Sequence, residues 1–213
     1  MMKGVSSPGP IYGIADLGVL GEEQLPSAAA TMAEAGIRWI QVRAKGISAD
    51  GSCRVLERTC RALEGSDAFL WLDDRADLAA LFPVNGVHVG QRDLPPSAVA
   101  EVLGGEVAVG FSTHDREQIE AAAADEAVEV IAVGPIFATR SKEGADPVVG
   151  LDLLRWARQK TDKPLVAIGG IEAETLPAVL AAGADTAALI GGLCRGDVRE
   201  NCRRLTAACR GRS

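Results

Sequence analysis

The chain has 213 residues, with 22 Lys and Arg against 29 Asp and Glu and a formal net charge of −7. At 47% hydrophobic and 24% charged it has the apolar surface for a packed core, which excludes a disordered chain, and its length is that of one domain spanning residues 1–213. The acidic balance and the 4% aromatic content exclude the basic, base-stacking footprint of a nucleic-acid binder, and the acidic balance by itself speaks against phosphorylated substrates.

From Met1 to Pro10 the chain is polar and carries no apolar signal segment, and no run of eighteen apolar residues follows. A cytoplasmic protein without membrane contact is expected. Five cysteines lack any CxxC pair or zinc-ligand spacing, which fits a reduced setting and core packing. Strands are predicted at Ile11 to Asp16, Trp39 to Arg43, Phe69 to Asp74, Gly86 to Gly90, Val107 to Thr113, Glu129 to Ile136, Pro164 to Ile171 and Thr186 to Gly192. Helices are predicted at Gln24 to Ala35, Ser48 to Leu63, Ala76 to Phe82, Pro96 to Leu103, Arg116 to Ala127, Leu151 to Lys160, Glu174 to Ala182 and Val198 to Cys209, the third being the shortest. Strands apolar on both faces, as in VEVIAV, are parallel strands covered by crossover helices. Eight such units predict an α/β fold, a single (β/α)8 TIM barrel, with a doubly wound open sheet as the structural rival.

A barrel places its site at the strand C-termini. Gln41, Arg43 and Lys45 have period-two spacing and point together into the mouth, where a donor, a guanidinium and an ammonium suit an anion. Asp74 and Asp93 end adjacent strands and can share a hard cation such as Mg²⁺; alternatively, Asp74 caps the following helix and Asp93 forms a turn. Gly169-Gly170 and Gly191-Gly192 sit where these barrels bind phosphate, although glycines also end turns everywhere. The long segment from Ala138 to Gly150 brings Thr139, Arg140, Ser141 and Lys142 and has the makings of a lid. His88 reads as a core histidine, and in STHD, Thr113 or Asp115 competes with His114 as a helix-capping segment.

The segments QVRAK (41–45), LDDRADLA (72–79), GVHVGQRDLP (86–95), GFSTH (110–114), VGPIFATRSK (133–142) and AIGGI (167–171) together resemble the thiamine phosphate synthase family, collinearly over most of the chain. The resemblance implies a (β/α)8 barrel that joins 4-amino-2-methyl-5-(hydroxymethyl)pyrimidine diphosphate to 4-methyl-5-(2-phosphooxyethyl)thiazole, giving thiamine phosphate and pyrophosphate. It implies that Gln41, Arg43, Lys45, Asp73, Ser112 and Lys142 bind the pyrimidine diphosphate, with Arg43, Lys45 and Lys142 taking the leaving charge. Asp74 and Asp93 would hold Mg²⁺, and Thr139, Ser141, Gly170, Ile190 and Gly191 would hold the thiazole phosphate. Arg43, Lys45 and Lys142 are then expected to make the mouth locally positive on an acidic chain.

Departures from the family pattern are Asp73 in place of the usual Asn, Ser141 in place of Thr, and Gly191 in place of Ser. The alternatives are a thiazole tautomerase, which has a His where this chain has Pro135, and a noncatalytic paralogue that binds phosphate ligands. A homo-oligomer is compatible with the sequence, which leaves the number of subunits open.

Overall fold

The structure is a computed structural model that describes residues 7–139 and 147–210. In chain order its elements are β1 (Ile11–Asp16), α1 (Leu17–Glu34), β2 (Trp39–Arg43), α2 (Ala49–Ala62), β3 (Phe69–Asp73), α3 (Ala76–Ala79), β4 (Gly86–Val89) and α4 (Pro96–Val102). They continue with β5 (Ala108–Thr113), α5 (Arg116–Ala124), β6 (Val130–Val133), α6 (Gly150–Arg158), β7 (Leu165–Ile168), α7 (Leu176–Ala181), β8 (Thr186–Leu189), α8 (Gly191–Cys194) and α9 (Val198–Arg210). Every strand pairs in parallel with the next, and β8 pairs with β1 through Ile11 beside Ala187. That last pairing closes the barrel and disposes of the open-sheet rival.

Element ends differ from the sequence pattern where a turn interrupts an apolar run. β6 stops at Val133 because the chain turns away at Gly134–Pro135, and a proline cannot donate to the ladder. β8 stops at Leu189, and Gly191 opens the short α8 instead of prolonging the strand. α1 starts at Leu17, directly after β1; Gly21, at φ 71° and ψ 166°, breaks its first turns and hides the helical period there. Elsewhere the local signals hold. Ser48 Oγ accepts from Gly51 N–H at 3.1 Å to cap α2, and Asp115 Oδ1 accepts from Gln118 N–H at 2.8 Å to cap α5.

Two apolar layers follow from strand alternation. Outward side chains such as Val42, Leu72, Val87, Val109 and Ile131 pack under the helices. Inward ones are unevenly sized. β1 to β3 contribute Tyr12, Trp39, Phe69 and Trp71, with Tyr12 edge-on to Trp39 at 5.4 Å and Trp39 against Trp71 at 5.0 Å between ring centroids. The facing strands answer with Gly86, Ala108, Gly110, Ala132 and Ala188, and a Cβ on Gly86 would lie 2.3 Å from the Trp71 ring. Aromatic contacts of this kind add about 0.5–1.5 kcal/mol each beyond area burial. The third indole, Trp156, lies outside on α6 beneath Arg116 and Lys160, at 5.1 and 5.0 Å from its ring centre.

All five cysteines are free; Cys194 and Cys202 are buried, and burial pushes both thiols up to about 11. No helix among the described residues is long and apolar enough to cross a membrane.

Candidate active site

The aromatic plug fills the barrel only part of the way, and polar residues take over at the last inward position of the strands. Parallel register sets Asp16 beside Arg43 and Asp73 beside His88; Gly110 lies beside His88, and Ser112 beside Ala132. Above them opens a cavity of about 490 Å³, the size of a small-molecule site. Gln41, Arg43, Lys45, Asp73, Asp74, Asp93, Ser112, Thr139, Gly170, Ile190 and Gly191 all line it. Ser141 and Lys142 lie outside the described residues, as does most of the 138–150 segment.

A ladder of charges crosses the mouth. Asp16 Oδ2 meets Arg43 at 2.5 Å, Arg43 lies 3.6 Å from Asp73, Lys45 lies 3.5 Å from Asp73, and Lys45 meets Asp74 at 2.6 Å. Each cation therefore stands between carboxylates. Asp73 Oδ2 is buried and makes no hydrogen bond, although both cations stand within ion-pair distance. Burial, reinforced by the charge of Asp74, pushes its carboxyl up to about 7 against the pull of Lys45 and Arg43. Burial also lowers Lys45, but the hydrogen bond it donates to Asp74 and the charges of Asp73 and Asp74 outweigh it, so the ammonium is raised.

The locally positive mouth expected from sequence counts Lys142, which lies outside the described residues. Among the described residues, four acids (Asp73, Asp74, Asp93, Glu172) line the cavity with three cations, Arg43, Lys45 and Arg195.

Two of these acids bear on a metal. Asp74 does not cap α3, whose N-cap is Arg75; its own φ of 60° turns the chain sharply after β3, and its N–H donates to His88 O at 2.9 Å. Burial raises the Asp74 carboxyl; Lys45 pulls it back, and the charge of Asp93 and a hydrogen bond between the two acids push it up again. Two oxygen donors in mutual repulsion fit a hard divalent cation. Among the described residues no group of three or more His, Cys, Asp or Glu forms a metal cage, so such a cation would need oxygens from a ligand. Asp93 also makes the turn that sequence allowed for it, accepting from Gly90 N–H at 2.8 Å.

Deeper in the cavity, Gln41 Nε2 donates to Tyr12 Oη at 2.8 Å, which fixes the amide. His88 is buried as expected, yet it also lines the cavity, with Nε2 2.9 Å from Ser112 Oγ. Its burial lowers the imidazole to about 4. Gln91 Nε2 donates to Ser112 O at 2.7 Å, and His114 Nδ1 lies 2.6 Å from Gly134 O.

The two glycine pairs turn out to differ. Gly169 and Gly170 take φ of 101° and 61°, and a Cβ on Gly170 would stand 2.4 Å from Ala138 O, so the β6 loop packs onto their backbone. Around Gly191 there is room: the nearest atom to an added Cβ is in the Arg195 guanidinium, 3.6 Å away.

Sequence reasoning passed over Tyr12, Asp16, Glu172 and Arg195. Tyr12 and Asp16 sit in an apolar strand, and alternation alone, counted back from the mouth, would have turned both inward. Glu172 and Arg195 belong to no periodic segment and carry no local signal.

A closed barrel with a small-molecule cavity at its strand C-termini, lined by acids interleaved with cations, defines an enzyme of the (β/α)8 class. The family model described as thiamine monophosphate synthase matches residues 11–193. A thiamine-phosphate synthase of Koribacter versatilis is 44% identical over 91% of this chain and 92% of its own length, and one of Acidothermus cellulolyticus is 40% identical over 75% and 76%. Among solved structures, thiamine phosphate pyrophosphorylase from Pyrococcus furiosus superposes with a TM-score of 0.86 at 25% identity, covering 96% of this chain and 97% of that one. The chain belongs to the thiamine monophosphate synthase family.

Proposed function

We propose that this chain is a Mg²⁺-dependent transferase that condenses 4-amino-2-methyl-5-(hydroxymethyl)pyrimidine diphosphate with 4-methyl-5-(2-phosphooxyethyl)thiazole, releasing pyrophosphate and forming thiamine phosphate. Family membership supports the reaction, and the observation that carries it is the pair Asp74 and Asp93, pressed together beside Lys45 at the cavity mouth. Asp74 and Asp93 would hold Mg²⁺, which would supply positive charge to neutralise the leaving group.

The chain's own groups then do the following. Arg43 and Lys45 exchange part of their pairing with Asp73 and Asp74 for the diphosphate, and Lys142 adds charge from the 138–150 segment. Gln41, fixed by Tyr12, orients the aminopyrimidine, and Ser112 donates to the diphosphate. Thr139, Ser141 and the backbone at Gly170, Ile190 and Gly191 hold the thiazole phosphate, with Arg195 as a further cation across Gly191. As the C–O bond to pyrophosphate breaks, the electron-rich pyrimidine ring bears the methylene cation that the thiazole nitrogen attacks. Positioning and stabilisation of the departing charge dominate, and no covalent link to the protein or obligatory imidazole base is needed. With five free cysteines, the setting is a reduced cytoplasm.

The direct test mixes both substrates with Mg²⁺ and measures thiamine phosphate and pyrophosphate; binding without product would leave the noncatalytic reading standing. For the acid pair, Asp93→Asn keeps an acceptor for Gly90 N–H but removes the charge. Turnover is expected to fall by at least about 10²-fold with the melting temperature little changed, and unaltered Mg²⁺ dependence would refute the assignment.

A further inference from the structure

Ser112 Oγ stands 2.9 Å from His88 Nε2 on the neighbouring strand, while Nδ1 of the same ring is buried with no hydrogen-bond partner. Nδ1 faces the bare backbone of Gly110, where an added Cβ would lie 2.4 Å from it. A ring so deeply buried is neutral and has one proton. Where that proton sits decides the direction of the bond to Ser112. On Nδ1 it would be an orphaned buried N–H, a rare and costly fault; on Nε2 it leaves only an unfilled lone pair.

We propose that His88 keeps its proton on Nε2 and donates it to Ser112 Oγ, which leaves the Ser112 hydroxyl to donate its own proton into the cavity, to an oxygen of the pyrimidine diphosphate. With the opposite tautomer the hydroxyl would donate to the ring and turn only lone pairs toward the anion. Gln91 holds the Ser112 carbonyl at 2.7 Å, so the strand is fixed and the hydroxyl rotor is what His88 sets. Among the described residues His88 is the hydrogen-bond partner of that hydroxyl. His88 is a positioning residue acting through Ser112. The identity of the anion rests on the proposed reaction; the direction of the bond does not.

Two measurements separate these parts. The chain has two histidines, so imidazole ¹⁵N shifts of the labelled wild type and of His88→Gln assign both rings. His88 is expected to show a protonated Nε2 and a bare Nδ1, and the reverse pattern overturns the proposal whatever the enzyme turns over. Kinetically, His88→Leu should lower kcat/KM for the pyrimidine diphosphate roughly tenfold or more, leaving the KM for the thiazole phosphate unchanged. His88→Gln, whose amide N–H₂ reaches the same place, should restore most of the loss. In a Ser112→Ala background, His88→Leu should cost nothing further; a full additional loss there would overturn the coupling. If the wild type makes no thiamine phosphate, the reaction assignment fails, and the tautomer is still decided by the ¹⁵N shifts.

Discussion

Asp73 stands between Arg43 and Lys45 with its side chain 13% exposed, facing the cavity from which pyrophosphate would leave in the proposed reaction. A carboxylate there repels a departing anion and offers no donor, whereas an amide could donate. Asp73→Asn is therefore expected to preserve or raise kcat; a loss beyond about tenfold would mean that the carboxylate is needed to hold Arg43 and Lys45 in place. The residues that sequence pointed to here were legible because strand side chains alternate, so Gln41, Arg43 and Lys45 had to share a face. Their pairing was not legible. Which acid sits against which base depends on the parallel register of β1 to β4, which brings Asp16 to Arg43 and Asp73 to His88 across strands.

Among the elements, the connection from β7 and the one from β8 both begin with paired glycines but answer to different constraints. Gly170 combines positive φ with close packing against Ala138, so Gly170→Ala should destabilise the fold by about 1–3 kcal/mol and shift the β6 loop. Gly191, with helical backbone and free space, should accept serine with little change in melting temperature, and the added hydroxyl should leave unchanged or lower the KM for the thiazole phosphate. Thermal unfolding and steady-state kinetics of the two variants check this contrast. From sequence the two pairs look alike. The number and kind of strands could be read, since runs such as VEVIAV need cover on both faces, but the ends of β6 and β8 could not: Gly134–Pro135 and α8 interrupt apolar runs through turn geometry rather than polarity.

At the scale of the whole molecule, two buried groups make stability respond to pH in opposite senses. His88 titrates near 4 when folded, against an ordinary 6.5, so the unfolded chain binds the extra proton and stability falls as pH drops from 6.5 to 4. Asp73 titrates near 7 when folded, against 3.8, so the folded chain binds the extra proton and stability falls as pH rises from 3.8 to 7. The two amount to roughly 3 and 4 kcal/mol respectively. Relative to wild type, Asp73→Asn should thus gain stability progressively from pH 4 to 7, while the deficit of His88→Gln should shrink as pH falls through the same range. Denaturant unfolding across that range measures both. The uneven filling of the barrel has an optical consequence. Trp39 and Trp71 lie packed around Tyr12 at the cavity floor, and Trp156 is the one indole outside the barrel. A Trp156→Phe chain would fluoresce only from directly beneath the site, so ligand arrival could be followed without label or turnover, and the protein carries its own reporter of occupancy.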